Sequence, residues 1–197
     1  MEGTASAQDR RFELGASAGY LVGGSAEGTS GTVTSQASID SAPSYGGWLD
    51  VAVRPNAYAE LSYTRQQTGL LLHQSDDTNY RYDMTAQYIH IGGLLELHPP
   101  NNDWFRPVFG GTMGATVFTS NDNGFSYDEW RFSLAFEGGA KIRITDFLGI
   151  RARARLLMTF LTDESALICG NSGNCLFAYS GTAVFQGEFG GGVYVAF

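Results

Sequence analysis

The sequence has 197 residues with 26 glycines, 13% aromatic and only 16% charged residues, and its formal net charge is −8. This length suits a single domain, and so few charges are unusual for a water-exposed surface. No apolar run reaches the roughly 18 residues that a transmembrane helix needs, which excludes a helical membrane protein.

The N-terminal residues resemble the end of an export signal. Ala5-Ser6-Ala7 has the small-x-small form of a signal-peptidase site, but no charged or apolar region precedes it. We interpret residues 1–9 as a signal-peptide remnant or an added tail. The alternative is an ordinary polar N-terminal arm. Residues 10–197 are then expected to form one domain.

From residue 11 onward, apolar and polar residues alternate with a period of two, which predicts β-strands with two chemically different faces. In the first strand Phe12 and Leu14 alternate with Glu13, and in the seventh Ile150 alternates with Arg151. In chain order the predicted strands are 11–23, 45–54, 58–72, 83–98, 105–119, 130–145, 150–160 and 185–197.

The connections between these strands alternate in length. The short ones, rich in Pro, Asn and Asp, lie near 55–57, 99–104 and 146–149. The long polar ones lie near 24–44, 73–82, 120–129 and 163–181. An even number of strands with this alternation predicts an all-β, eight-stranded, antiparallel up-and-down transmembrane barrel, with short periplasmic turns and longer extracellular loops.

Alternation alone does not reveal which face points inward, because a soluble lipocalin-type barrel has the same period with its charges outside. Three features favour the membrane arrangement. The apolar faces extend over most of a bilayer thickness and carry aromatic residues near their ends. The loops differ in length between the two ends, and the last strand finishes at Phe197.

Several motifs support this interpretation through a family resemblance. The segment 187–197 resembles the terminal strand recognised by the outer-membrane barrel assembly machinery, and 106–111 and 138–145 resemble motifs of small OmpA-like and OmpW-like barrels. The resemblance implies residence in the outer membrane of Gram-negative bacteria, among lipid and lipopolysaccharide. It also implies an assembly signal formed by Phe189, Val193, Val195 and Phe197, in which Val195 stands where many members carry an aromatic residue.

The charged residues on the inward face form the candidate functional site. Near balance of the two signs predicts mutual pairing, since isolated charges in a narrow lumen are costly. The predicted lumen network comprises Glu13, Asp50, Arg54, Glu60, Glu96, Arg106, Glu137, Lys141, Arg143, Arg151, Arg153, Arg155 and Glu188. It is expected to fill the lumen as a plug, and the alternative is an anion route along the arginines of the seventh strand.

The long loops have the opposite character, because they carry most of the excess acidic residues. This charge argues against nucleic acid as a partner, which would require basic patches. Asp76-Asp77 and Asp128-Glu129 lack the ligand spacing of a dedicated Ca²⁺ site. We therefore expect neither a metal nor a cofactor.

Cys169 and Cys175 lie six residues apart in the last long loop. Two cysteines so close together in a Gly/Asn-rich turn of an exported chain predict a disulfide. The alternative is a pair of free thiols.

Catalysis has one candidate in the sequence, the segment His73-Gln74-Ser75-Asp76. Some outer-membrane barrels modify lipid A with Ser, His and acidic residues, but no orienting carboxylate is evident here beyond Asp76 and Asp77. We expect no enzyme. The favoured function is a membrane anchor whose extracellular loops contact a surface or envelope protein, and the alternative is OmpW-like, porin-like passage of small hydrophobic molecules or ions.

Overall fold

The computed structural model describes residues 11–30, 33–73, 79–100, 104–122, 125–161, 166–169, 175–178 and 183–197. Its strands are β1 (Phe12–Val22), β2 (Ser25–Ser30), β3 (Val33–Ile39), β4 (Ala42–Arg54), β5 (Ala57–His73), β6 (Asn79–Glu96), β7 (Phe105–Asp122), β8 (Phe125–Arg143), β9 (Leu148–Phe160), β10 (Ala166–Cys169), β11 (Cys175–Ala178) and β12 (Ala183–Ala196). No helix long and apolar enough to cross a membrane occurs in these ranges.

Eight of the strands form a closed antiparallel ring in the order β1-β4-β5-β6-β7-β8-β9-β12, and β12 pairs back onto β1. Closure leaves no unpaired sheet edge around the barrel wall, so backbone groups inside a bilayer are satisfied within the protein. The predicted eight-stranded antiparallel barrel is confirmed.

The structure corrects the sequence prediction at the outer end of the barrel. The region 24–44 was predicted to be a long loop, but it contains the hairpin β2–β3, and β3 pairs with the outer part of β5. Strands β5 to β8 contain 17, 18, 18 and 19 residues. A bilayer crossing takes roughly 9–11 residues, so these strands continue beyond the membrane on the long-loop side.

The two faces of the wall have opposite chemistry. Large apolar side chains are exposed on the outside, as at Ile91 (60%), Phe136 (56%) and Phe189 (62%). Charged side chains are buried inside, with Asp50 and Arg151 each at 0% exposure. This arrangement suits hydrocarbon outside the barrel and excludes the lipocalin-type alternative, whose charges would point outward.

The residues within the turns explain why the connections at the short-turn end of the barrel are tight. Asn56 adopts a φ of 69° in the β4–β5 turn, a left-handed conformation that asparagine tolerates. In the β8–β9 turn the Thr145 hydroxyl accepts hydrogen bonds from the backbone N–H groups of Phe147 and Leu148, at 3.3 and 3.0 Å. These turns hold neighbouring strands in register.

Two inward glycines make room for large aromatic side chains. Gly15 is opposite Trp48 in the β1–β4 pair, and Gly149 is opposite Tyr194 in the β9–β12 pair. A Cβ atom at either glycine would overlap the facing ring. The small residue on one strand is therefore required by the large residue on the next.

Some predictions are not supported or fall outside the described residues. The Cys169–Cys175 disulfide finds no support in the structure: β10 and β11 place the two residues opposite each other, but their side chains lie outside what the structure describes. The predicted signal remnant at residues 1–9 and the acidic pair Asp76-Asp77 lie outside the described ranges. So does Ser75, the predicted partner of His73.

A charge on the outer face tests this orientation. Ile91→Arg places a guanidinium in the apolar band, and we expect the free energy of unfolding in phospholipid vesicles to fall by about 2–4 kcal/mol near the midplane. Unfolding with guanidinium chloride measures the change in the free energy of unfolding, with Ile91→Leu as the matched control. Equal stability of the arginine variant and the control would contradict hydrocarbon at this face.

Candidate functional site

A row of acidic residues and a row of basic residues lie on opposite walls of the lumen. Glu13, Asp50 and Glu60 are direct cross-strand neighbours on β1, β4 and β5. Arg106, Lys141 and Arg151 are direct neighbours on β7, β8 and β9. In the eight-membered ring β1, β4 and β5 are diametrically opposite β7, β8 and β9. Like charges that face each other across a strand pair destabilise a sheet, so each row requires the other.

Lys141 is the first link between the two walls. Its Nζ atom lies 2.5 Å from Glu13 Oε2 and 3.2 Å from Asp50 Oδ2, and the residue is only 1% exposed. Its ammonium also lies 4.3 Å from the centre of the Tyr58 ring, which adds a cation–π contact. Lys141 therefore ties β8 to β1 and β4 across the lumen.

Arg151 is the second link and binds three carboxylates. Its Nη1 atom lies 3.3 Å from Asp50 Oδ2, its Nη2 atom lies 2.6 Å from Glu60 Oε2, and it also pairs with Glu137. Each of these carboxylates keeps a second buried oxygen with no hydrogen-bond partner among the described groups. Because Asp50 contacts both Lys141 and Arg151, it joins the two links into one network.

Arg155 and Arg153 extend the cationic side of β9. Arg155 pairs with Glu188, and Ser44 donates a 2.8 Å hydrogen bond to the same carboxylate. Arg153 donates to Ser17 Oγ at 3.2 Å, and its guanidinium lies 5.4 Å from the Trp48 ring centre. The side chain of Arg153 is thus held by the Ser17 hydroxyl and the face of the Trp48 ring.

The predicted lumen network divides into a buried set and a rim. The buried set is Glu13, Asp50, Glu60, Glu96, Glu137, Lys141, Arg151, Arg153, Arg155 and Glu188. Arg106 is half-buried and pairs with Glu96 at 2.5 Å. Arg54 and Arg143 are exposed. Each ends its strand at the short-turn side, so these two arginines lie at the rim of the lumen rather than among the buried charges, and their part in the network stays a prediction.

A cavity of about 1520 Å³ occupies this short-turn end. Its wall includes Arg54 and Arg143, and Glu13, Glu96 and Arg106 also line it. We call it the short-turn cavity. The buried charge network forms its floor, since Glu13 and Glu96 belong to both.

Towards the long-loop end, neutral polar pairs replace most of the charges, although Glu129 and Arg131 form an ion pair there. Tyr88 donates a 2.5 Å hydrogen bond to Gln186 Oε1, and the Thr116 and Thr159 hydroxyls are 3.0 Å apart. Interleaved with these pairs is a buried apolar cluster, which we call the apolar lid and to which the Tyr88 ring belongs. Its members are Leu21, Ile39, Ala86, Tyr88, Phe118, Ala135, Leu157, Leu161 and Val184.

Sequence reasoning missed the apolar lid, although its signal was present. Leu157, Thr159 and Leu161 continue the inward positions of Arg151, Arg153 and Arg155, and the inward side therefore changes from charged to largely apolar along one strand.

A buried Ser–His contact is the nearest arrangement to a catalytic pair. His90 Nε2 lies 2.8 Å from Ser133 Oγ, and the two residues are 1% and 0% exposed. The other ring nitrogen of His90 has no partner among the described groups, so an orienting carboxylate is missing there. Within the described ranges no group of three or more His, Cys, Asp or Glu residues is arranged to hold a metal ion.

Comparison with known proteins gives a family and a fold. The family model for the outer membrane protein beta-barrel domain matches residues 3–194. A search of curated proteins found no significant match.

Several solved structures resemble the chain at low sequence identity. Neisserial surface protein A (NspA) has 14% identity and a TM-score of 0.60, with 94% of this chain and 97% of that chain covered. OprG from Pseudomonas aeruginosa has 14% identity and a TM-score of 0.63, with coverage of 94% and 95%. OmpT, an outer membrane protease from Escherichia coli, has 10% identity, 99% coverage of both chains and a TM-score of 0.48, too low to bear on activity.

Removal of the residue with three carboxylate partners tests the network. Arg151→Met leaves buried carboxylates uncompensated, and we expect the free energy of unfolding to fall by about 3–5 kcal/mol. Chemical unfolding in vesicles measures the loss. Arg143→Met, at the exposed rim, is the matched control and should change stability by no more than about 0.5 kcal/mol. Losses of similar size in both variants would refute the network's structural role.

Proposed function

The chain belongs to the outer membrane protein β-barrel domain family and resides in the bacterial outer membrane, and from this premise we propose that it is a non-catalytic anchor with a closed lumen. In this proposal its extracellular side contacts a surface or envelope protein. The observation that carries the proposal is the pairing of opposite lumen walls through Lys141 and Arg151.

The lumen contents support closure at two levels. At the first level, the two cations tie β8 and β9 to the wall formed by β1, β4 and β5. Ions that cross this level would have to displace buried, paired charges. At the second level, the side chains of the apolar lid are mostly hydrocarbon, and the Tyr88 hydroxyl is already bonded to Gln186, so passage of a hydrated ion there carries a desolvation cost. The anion route considered for Arg151, Arg153 and Arg155 would meet both barriers.

The outer extension of the wall supports an interaction role. Strands β5 to β8 are longer than a bilayer crossing requires, and β2 and β3 add a hairpin to their outer side. This extension would present a sheet outside the membrane. The excess acidic residues in the long connections would give that surface a negative charge, which suits a partner with a basic patch.

Binding of small hydrophobic molecules is a second candidate, and the apolar lid is the observation that favours it. Met84, partly buried, packs against the lid and would be the first side chain to move aside for a ligand. The lid residues are nevertheless packed on one another in the described structure. Closure therefore remains the favoured function.

Single-channel recording tests the closed lumen. In planar lipid bilayers with molar KCl we expect no discrete conductance above the lipid-only background, because both barriers exclude hydrated ions. Arg151→Ala combined with Leu157→Ala and Leu161→Ala removes side-chain volume from both levels. This variant should produce discrete steps of current. Steps from the unaltered protein would contradict closure.

Co-purification from native membranes tests the interaction role. We expect a stable envelope protein to co-purify with the unaltered chain and to be lost when 25–39 is replaced by a short turn, because that exchange removes the β2–β3 hairpin. An insertion of equal length into the short-turn β8–β9 connection, residues 144–147, is the control. A bound lipid or detergent in native mass spectrometry, without a protein partner, would instead support the second candidate.

A further inference from the structure

One basic side chain lies on the lipid-facing side of the barrel wall. On β5 the inward residues Thr64 and Gln66 are buried, and Arg65 between them points to the outside. Among the outward-facing side chains that the structure describes, Arg65 is the one cation. A charge that faces a bilayer is costly unless it reaches an opposite charge, so Arg65 requires an anionic partner.

The described protein groups do not supply that partner. None of the ion pairs in the described ranges includes Arg65, and its buried Nε atom has no hydrogen-bond partner there. The acidic side chains described on the same outward side are those of Asp83 and Asp128. Asp83 lies on β6, four residues beyond the position opposite Arg65, which is roughly 13 Å along the strand. Asp128 lies three strands away on β8, a separation of roughly 14 Å, and neither carboxylate forms an ion pair with Arg65.

The position of Arg65 along β5 is near the outer edge of the apolar band. Arg65 lies eight residues beyond Ala57, where β5 begins at the short-turn end. With about 3.3 Å per residue and a tilt of about 40°, its height is about 20 Å, and the apolar band of such barrels is about 25 Å tall. The exposed rings of Tyr45 and Tyr63 adjoin it, as expected for the aromatic girdle at an interface. The guanidinium is therefore within reach of the headgroups of the outer leaflet.

The neighbours of Arg65 on this surface are polar. Gln87 lies directly opposite Arg65 on β6, and its Oε1 atom accepts a 2.9 Å hydrogen bond from the Tyr63 hydroxyl. That bond leaves the amide N–H groups of Gln87 as donors. One step further out, the exposed Gln67 lies opposite Thr85. We call this surface the Arg65 patch, and it comprises Tyr45, Tyr63, Arg65, Gln67, Thr85 and Gln87.

The far side of the barrel has a different surface at its outer end. The outward side chains of Trp130 and Phe132 on β8 and of Phe185 on β12 are exposed and aromatic. These rings suit the interface between acyl chains and headgroups, but they carry no charge. A charged headgroup is therefore distinguished from a neutral one on the side of β4, β5 and β6.

We propose that the Arg65 patch is a binding site for the phosphate group of a phosphorylated glycolipid in the outer leaflet. Arg65 binds the phosphate oxygens through its Nη groups, because a planar guanidinium presents paired donors that match an oxyanion. Gln67, Thr85 and Gln87 bind sugar hydroxyls of the same headgroup, which the headgroup of phosphatidylethanolamine does not offer. The acyl chains lie along the exposed outward residues nearer the short turns, such as Leu61.

Titration of lipid into the folded full chain tests this site, with native mass spectrometry as the readout. The micelles are of lauryldimethylamine oxide, which contains neither phosphate nor sugar. The probe is lipid A with its phosphates intact, and the matched lipid is lipid A from which the phosphates have been removed. We expect the intact lipid to bind about tenfold more tightly, as one or two charge-assisted hydrogen bonds provide.

Variants of Arg65 identify the residue that reads the phosphate. Arg65→Leu should abolish the difference between the two lipids, and Arg65→Lys, which keeps the charge without the paired donors, should retain part of it. Arg143→Gln, at the short-turn rim, is the matched control and should bind like the unaltered chain. Equal affinity for the two lipids, or a preference for the intact lipid that survives in Arg65→Leu, would overturn the proposal.

Two further measurements separate this site from a structural role and from other sources of phosphate. In the same micelles, Arg65→Leu should unfold at a denaturant midpoint equal to or above that of the unaltered chain, because leucine suits the apolar band. A lower midpoint would show that Arg65 supports the fold itself and would overturn the assignment. Phosphatidylglycerol and dissolved glucosamine 1-phosphate should each bind more weakly than intact lipid A. Affinity of either that equals or exceeds that of lipid A would exclude a glycolipid as the ligand.

Discussion

The structure depends on attraction between opposite walls of a narrow lumen. Glu13, Asp50 and Glu60 are cross-strand neighbours on one wall, and Arg106, Lys141 and Arg151 are cross-strand neighbours on the other. Without the opposite row, the like charges within each row would repel one another. The barrel closes so that one row lies against the other, and Asp50 contacts both Lys141 and Arg151. The register of six strands is thereby linked through charge, because a slip of one residue would turn these charges towards lipid.

This arrangement determines where the rest of the interior chemistry can lie. Most of the buried carboxylates and cations occupy the half of the lumen near the short turns, where Gly15 and Gly149 make room for the rings of Trp48 and Tyr194. Further along, neutral pairs such as Thr116 and Thr159 are interleaved with the apolar lid, and the Glu129–Arg131 ion pair lies on the same side. A hydrated ion would therefore meet buried ion pairs at one level and a largely apolar stretch at the next.

Much of the fold was predictable because a strand with two unlike environments must alternate. The alternation of Ile150 with Arg151 and of Phe189 with Glu188 shows which side is which, and the eight predicted strands are present. The β2–β3 hairpin was missed because its strands continue the wall outside the bilayer, where no apolar face marks them. Alternation predicts that Arg54 and Arg143 face the lumen but not how far along it they lie, and both are exposed at its short-turn end.

The sequence does not predict which charged residues pair with one another in the lumen, and the reason is geometric. Lys141 meets Glu13 across a separation of 128 residues, and Arg153 meets a hydroxyl and the Trp48 ring although carboxylates lie nearby. Such choices are set by barrel closure and by the reach of each side chain, neither of which the spacing of residues specifies. The buried set contains six carboxylates and four cations, so its pairs do not neutralise one another completely. Arg54, Arg106 and Arg143 at the short-turn end supply positive charge beside this acidic excess. The arginines of that end therefore belong to the electrostatic balance of the lumen, because buried carboxylates without a compensating cation are costly.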